Sequence, residues 1–221
     1  MTDRPTMILY GYWRSGTSYR TRIALALKGL RVRHETVDLR AGEQSGPAFR
    51  EKNPQGLVPT LVLPDGRSLS QSPAIIEYLE ETYPDPALLP SDPADRARVR
   101  QMAMIIGCDT HPLGNLRVLK ALKADYGADQ AGIEAWQARW NAAAFSALEA
   151  MLAEDPDRGH FAFGRRPGLF ECYLLPQLYT ARRFGVPLDA YPALLAIEAA
   201  TLCLPAVAQA VPEAQADADP A

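Results

Sequence analysis

Cysteine is scarce in this chain: Cys108, Cys172 and Cys203 are the only three in 221 residues. An odd number at wide spacing makes neither a disulfide framework nor a CxxC redox or zinc motif, so all three read as small core residues and no metal site is expected. Long apolar runs are missing too. None approaches the roughly 18 residues that cross a bilayer, and the polar start, Met1 to Pro5, lacks the basic and apolar segments of a secretory leader. A cytoplasmic protein with no membrane partner is expected. Positive charge is not in excess, since 23 Lys and Arg face 26 Asp and Glu for a formal net charge of −3. With no basic run to follow a phosphate backbone, a nucleic-acid partner is excluded and any preference for an anion must be local.

Apolar residues make up 48% of the chain, enough to bury the core of one large domain or two small ones. From Met7 to about Tyr83 short strand-like runs alternate with helical periodicity, the pattern of a small α/β domain. Met7-Ile-Leu-Tyr-Gly-Tyr12 opens it. Tyr19, Ile23, Ala26, Leu27 and Leu30 follow at helical spacing, with Gly29 as terminator. His34-Glu-Thr-Val-Asp-Leu39 alternates as a strand. Val58-Pro-Thr-Leu-Val-Leu63 and the turn Pro64-Asp-Gly66 predict a hairpin whose second strand is very short. Ser72-Pro73 then starts a helix whose buried face holds Ala74, Ile75, Tyr78 and Leu79. The order is β-α-β followed by β-β-α.

Beyond Tyr83 the punctuation changes. Four prolines between Tyr83 and Asp95 read as an interdomain linker, and after it strand patterns disappear. Helices are expected near 96–106, 112–126, 133–152, 169–184 and 192–201. In the third, Ile133, Trp136, Trp140, Ala144, Leu148 and Met151 share one face, which places both tryptophans in the core. The domain reading is therefore 1–84 α/β, 85–95 linker, 96–214 all-helical and 215–221 a disordered tail.

Chemistry concentrates where the first strand runs through Tyr12-Trp-Arg-Ser-Gly-Thr-Ser18 into a helix. Unpaired amides and the helix dipole favour an anion there, and Ser15, Thr17 and Ser18 can add hydroxyl donors. The same hydroxyls can equally be ordinary caps. Asn53-Pro-Gln-Gly-Leu-Val-Pro-Thr-Leu61 and Gln71-Ser-Pro-Ala-Ile-Ile-Glu-Tyr-Leu79 supply a second element. Pro59 has no amide hydrogen, so Val58 can leave its N–H and C=O to an extended peptide, while Ser72 offers a hydroxyl and orphan amides to a carboxylate. Two helix N-termini beside a free strand edge suit a short, acidic, peptide-like thiol.

With these stretches the chain resembles the glutathione transferases from Met7 through Pro205, and within them the zeta class. Arg14-Ser-Gly-Thr-Ser18 is similar to the form found in maleylpyruvate isomerases rather than the Arg-Ser-Ser-Cys-Ser of maleylacetoacetate isomerases. Gly107-Cys-Asp-Thr-His-Pro-Leu-Gly-Asn-Leu-Arg-Val-Leu119 and Glu171-Cys-Tyr-Leu-Leu-Pro-Gln-Leu-Tyr-Thr-Ala-Arg-Arg-Phe184 resemble that subgroup as well. The resemblance implies a thioredoxin-like domain followed by an all-helical domain, a homodimer, and a glutathione-dependent cis-trans isomerase acting on a small dicarboxylic keto acid. Maleylacetoacetate isomerisation, or general glutathione conjugation, is the alternative. It assigns Ser15 and Thr17 to the sulfur, and Arg14, Arg117 and Arg183 to the substrate carboxylates. Gln55, Val58, Gln71, Ser72, His111 and Asn115 become glutathione contacts. The chain departs from the family at Gly168-Leu-Phe-Glu171, where Thr or Ser usually caps the helix and Asp follows three residues later; the Gly predicts a weaker helix start. Leu116 replaces a basic residue of the subgroup.

Overall fold

The computed structural model describes residues 6–155 and 159–219. Met1 to Pro5, and the last two residues of the expected tail, lie outside them. The chain divides into two compact units, Met1–Leu88 with Leu204–Ala221, and Leu89–Cys203.

The first unit is built on a four-stranded sheet of β1 (Ile8–Gly11), β2 (Arg33–Thr36), β3 (Thr60–Val62) and β4 (Ser68–Ser70), ordered β2-β1-β3-β4. β1 runs parallel to β2 and antiparallel to β3, and β4 is antiparallel to β3. A parallel pair needs a crossover, which α1 (Gly16–Leu27) supplies. Gly29 at φ 65° ends that helix, with the Leu30 N–H bonded back to the Leu25 C=O. Short α2 (Pro47–Arg50) and α3 (Ser72–Thr82) complete the expected thioredoxin-like order. Met7, Leu9, Leu25, Leu61, Leu63, Ile75 and Leu79 form one core cluster, and Tyr12, Trp13, Val37, Phe49 and Val58 a second. A buried ion pair, Lys28 Nζ to Glu80 Oε2 at 2.7 Å, ties α1 to α3. Lys28 also donates to the carbonyls of Tyr83 and Pro86.

The second unit is helical among its described residues. α4 (Pro93–Met104) continues into a π-helical turn at Ile105–Thr110, followed by α5 (Leu116–Tyr126), α6 (Gln130–Ala153), α7 (Leu169–Arg183) and α8 (Pro192–Leu202). Five sequence expectations change here. α4 starts inside the expected linker, because Pro93 occupies the first turn, where a missing N–H costs nothing, and Asp92 caps it through the amides of Ala94 and Asp95. α5 starts at Leu116 rather than 112, capped by the Asn115 side chain. The buried face of α6 runs through Ile133, Gln137, Asn141, Ala144, Phe145, Leu148 and Leu152, leaving Trp136 and Trp140 half-buried at its side. Two of those inward positions are polar because they bond one another and Gln177 on α7. α7 is not left without a cap: Glu171 accepts from the N–H of Gly168 at 2.7 Å and of Ala162 at 2.8 Å. Finally, only Cys172 is buried, whereas Cys108 and Cys203 are exposed.

The C-terminal boundary also differs. α9 (Pro205–Ala208) and the residues that follow belong with the first unit rather than with the helices before them. The expected tail is held as far as Asp219. Asp217 accepts from the Trp13 N–H at 3.0 Å, and Asp219 pairs with Arg40 Nη1 at 2.8 Å.

Candidate functional site

Ser15 occupies the N-cap of α1 with extended backbone, φ −72° and ψ 120°, and its Oγ accepts from the Ser18 N–H at 3.3 Å. Capping and chemistry are thus not alternatives at this residue. The Thr17 hydroxyl donates to the Val58 C=O at 2.9 Å, which uses its single proton. In the 3.1 Å contact between Ser15 Oγ and Thr17 Oγ1 the donor must then be Ser15. The proton order Ser15 to Thr17 to Val58 leaves the Ser15 O–H as the one that can rotate toward a ligand without uncapping a backbone carbonyl. It corrects the expectation for Val58: its carbonyl is engaged, while its N–H has no partner among the described residues.

The loop carrying Gln55 and Val58 is fixed from beneath. Buried Asn53 donates to the Leu57 C=O at 2.6 Å and accepts from the Gln55 N–H at 3.1 Å. Gly56, at φ 65°, lies where a Cβ would stand 2.9 Å from the Gln44 carbonyl. Exposed Gln55 and Gln71 meet through Gln71 Nε2 and Gln55 Oε1 at 2.6 Å. Ser72 is the first residue of α3 rather than its cap, because Gln71 holds the cap position at φ 68°, the one positive φ of a non-glycine among the described residues. The Ser72 hydroxyl accepts from Arg20 Nη1 at 3.0 Å, so its own proton can still be donated. Arg20 is 2% exposed and places a buried positive charge directly behind that hydroxyl. Arg14 is half-buried, its guanidinium carbon 5.1 Å from the centroid of the Trp13 indole.

The second unit holds its candidates on two elements. His111 follows the π-helical turn, a feature often found at functional positions. Gly107 in that turn allows Tyr173 to approach to 2.8 Å of where a Cβ would stand. The turn from 111 to 115 is held by α6, with Trp136 Nε1 donating to the Leu113 C=O at 2.9 Å. Asn115 bonds the Arg117 N–H at 3.1 Å, so a residue expected to contact glutathione is also the cap of α5. Arg117 and Arg183 are exposed. The neighbouring Arg182 is engaged in a bidentate pair with Glu198, whereas Arg183 lies over the Phe184 ring at 5.7 Å.

Residues 14–82 match the family described as the glutathione S-transferase N-terminal domain. A maleylpyruvate isomerase of Ralstonia is 52% identical over 96% of this chain and 99% of its own. A maleylacetoacetate isomerase of Pseudomonas aeruginosa is 49% identical over 96% and 98%. Among solved structures, a holo maleylpyruvate isomerase described as a bacterial zeta-class glutathione transferase superposes with a TM-score of 0.94 at 50% identity, covering 96% of this chain and all of its own. A maleylacetoacetate isomerase of Anaeromyxobacter dehalogenans, with dicarboxyethyl glutathione and citrate bound, gives 0.86 at 42% identity over 97% and 98%. The chain belongs to the zeta-class glutathione transferases.

Within this zeta-class protein, sequence reasoning passed over Arg20, Arg22, Trp13, Asn53 and Asp217. Arg20 and Arg22 carried a readable signal, two charges in a helix otherwise made of Ile, Ala, Leu, Tyr and hydroxyl residues. Arg22 is 5% exposed, its Nε donating to the Ala210 C=O and its Nη2 to the Trp13 C=O, both at 2.9 Å. Asp217 carried none, since its partner lies 204 residues away in sequence.

Proposed function

We propose that this chain is a glutathione-dependent cis-trans isomerase that converts maleylpyruvate to its trans isomer, fumarylpyruvate. The observation that carries the reading is the directed hydroxyl pair at the N-terminus of α1, where Ser15 retains a movable proton and Thr17 is locked to the Val58 carbonyl.

The residues of the first unit fit a peptide-like thiol. The unpartnered Val58 N–H suits an extended backbone, and the donor-capable Ser72 hydroxyl, backed by buried Arg20, suits a carboxylate. Bound glutathione supplies a thiolate that adds to the activated alkene, leaving a single bond free to rotate, and is then released unchanged. The chain's part is to make that thiolate available. Ser15 turns its O–H to the sulfur while its Oγ still accepts the Ser18 N–H, and the amides and dipole of α1 add positive potential. A hydroxyl that is itself accepting is a stronger donor. Thr17 fixes the Val58 carbonyl to α1 and holds the Ser15 proton until a ligand takes it. Arg14, Arg117 and Arg183 are assigned to the two carboxylates of the substrate, for which planar guanidinium groups are suited, and His111 and Asn115 to glutathione. A homodimer and a cytoplasmic location belong to the same reading; among the described residues no helix is long and apolar enough to cross a membrane.

Maleylacetoacetate is the second reading, favoured by the nearly equal identity to relatives of both names. Two assays decide. Loss of maleylpyruvate is followed in the ultraviolet, coupled to a fumarylpyruvate hydrolase, with and without catalytic glutathione. Turnover that needs glutathione without consuming it, and that collapses in Arg183→Ala, supports the proposal. Turnover of maleylacetoacetate alone transfers it to the second reading; turnover of neither sinks both.

A further inference from the structure

The turn that carries Arg14 and Ser15 is bonded by main-chain atoms on both sides of Trp13. The Trp13 N–H donates to Asp217 Oδ2 at 3.0 Å, and the Trp13 C=O accepts from Arg22 Nη2 at 2.9 Å. Arg22 in turn holds the Ala210 C=O at 2.9 Å, and Asp219 grips Arg40 Nη1 with both oxygens at 2.8 and 2.9 Å. The segment 210–219 is therefore a strap, fastened at three points across the start of the turn.

Packing holds the strap only in part: Ala210 and Pro212 are buried, and Ala218 packs against the second core cluster. Between them a cavity of about 210 Å³ lies against the strap, lined by Arg22, His34, Thr36, Gln215 and Asp217 among others. Asp217 stands at that cavity, where its bond to the Trp13 N–H joins the strap to the turn. The consequence passes outward through the ring. The Trp13 indole is 7% exposed, and its face carries the Arg14 guanidinium at 5.1 Å, within the range of a cation–π contact. Displacing the Trp13 main chain would move the platform of Arg14 and, one residue further, the cap Ser15.

We propose that Asp217 is a positioning residue: it fixes the Trp13 main chain, and through the indole it sets the direction in which Arg14 meets a substrate carboxylate. The assignment of Arg14 rests on the isomerase reading; the strap does not. Asp217 touches no substrate, and its effect runs wholly through Trp13.

The test uses the full chain with its three tryptophans kept, and the Trp13 emission is taken as the difference from a Trp13→Phe reference. Asp217→Ala removes the acceptor, Asp217→Asn keeps one in its amide oxygen, and Arg40→Gln loosens the outer fastening, together with a 3.6 Å contact to Asp38. Malonate is the probe, a dicarboxylate that no turnover consumes, titrated by Trp13 emission in the presence of glutathione. Asp217→Ala is expected to red-shift the emission and weaken malonate about tenfold, equivalent to about 1.4 kcal/mol, with glutathione affinity changed less than about twofold. Asp217→Asn should restore both readings, and Arg40→Gln should fall between. Unchanged emission and malonate affinity in Asp217→Ala overturn the proposal. So does an Asn variant as impaired as the Ala variant, which would make charge rather than the bond to Trp13 the cause. If Asp217→Ala does not fold, the Asn and Arg40 variants carry the same comparison. Should the wild-type chain turn over neither keto acid, the isomerase reading fails, while emission and malonate affinity still decide the role of Asp217.

Discussion

Gln71 offers a direct measurement of strain at a proposed glutathione contact. It stands at φ 68° and ψ 111°, outside the regions that a side chain with a Cβ adopts without cost. Such a residue stores about 1–3 kcal/mol. Gly relieves it, but adds freedom to the unfolded chain worth about 0.5–1 kcal/mol. Gln71→Ala keeps the strain and loses only the bond to Gln55, which joins two exposed side chains and contributes at most about 1 kcal/mol. The difference between the Gly and Ala variants isolates the backbone. Gly is expected to be more stable than Ala by about 1 kcal/mol, a rise of roughly 2–4 °C in melting midpoint for a chain of this size. Calorimetric titration should show both variants binding glutathione more weakly by the same factor, since both lose the amide. An Ala variant as stable as the Gly variant would refute the claim of strain. Unequal glutathione affinities would show that the backbone angle, and not only the amide, recognises the ligand.

Ser15→Ala should lose about 1 kcal/mol of stability through the cap and at least about 100-fold in kcat through the missing donor; chemical denaturation and turnover read the two separately, and a fall in stability alone would make Ser15 only a cap. Thr17→Val, which releases the Val58 carbonyl but leaves the Ser15 proton in place, is expected to lower kcat less than Ser15→Ala; a larger loss would make Thr17 the donor. Lys28→Met removes the cation from the buried Glu80 carboxylate, which still accepts from the Leu88 N–H, and should cost about 3–5 kcal/mol in denaturant unfolding. A loss under about 1 kcal/mol would show that the ion pair does little more than offset its own desolvation. Glu171 is held above the usual carboxylate range by burial, against the pull of the Gly168 and Ala162 amides. A pKa higher in the folded than in the unfolded state stabilises the fold at low pH, and that contribution is lost as pH rises through the folded value. Relative to Glu171→Gln, the wild-type melting midpoint should therefore fall as pH is raised from about 4 toward neutrality; parallel profiles would refute the raised value.

Much of the fold was legible because periodicity and punctuation are local. Gly29 and the hairpin turn at Pro64-Asp-Gly66 each lay where the pattern put them. The misreadings have a common physical source. Pro93 looked like a breaker but sat in the first turn of a helix, and Asn115 looked like a ligand contact but is also a cap. In both, the position within a helical turn was misjudged, since one residue of register separates the outcomes. The face of α6 failed for another reason. Gln137 and Asn141 are inward because Gln177, 36 residues beyond Asn141, donates to Asn141 and Gln137 donates to the Gly114 carbonyl, and no local pattern contains those partners. At the candidate site the resemblance named residues, but the direction of the proton from Ser15 through Thr17 to Val58 needed coordinates.

One rule governs the irregular backbone of both units. Every loop that carries a candidate residue is pinned by a buried or half-buried polar side chain bonded to its main chain. Asn53 holds the loop of Gln55 and Val58, Arg22 holds the turn of Arg14 and Ser15, and Trp136 holds the turn between His111 and Asn115. Loops cannot satisfy their own peptide groups as helices and strands do, so a buried loop that must keep one shape needs donors brought from elsewhere. That explains why these side chains are invisible to a search for reactive groups: their chemistry is spent on carbonyls, not on ligands. It also ranks their variants. Removing one leaves a peptide group unpaired and a loop loosened, so the loss should fall on ligand affinity together with stability, whereas removing exposed Arg117 should leave stability nearly untouched. A stable Asn53→Ala with unchanged glutathione affinity would break the rule at its best-bonded point.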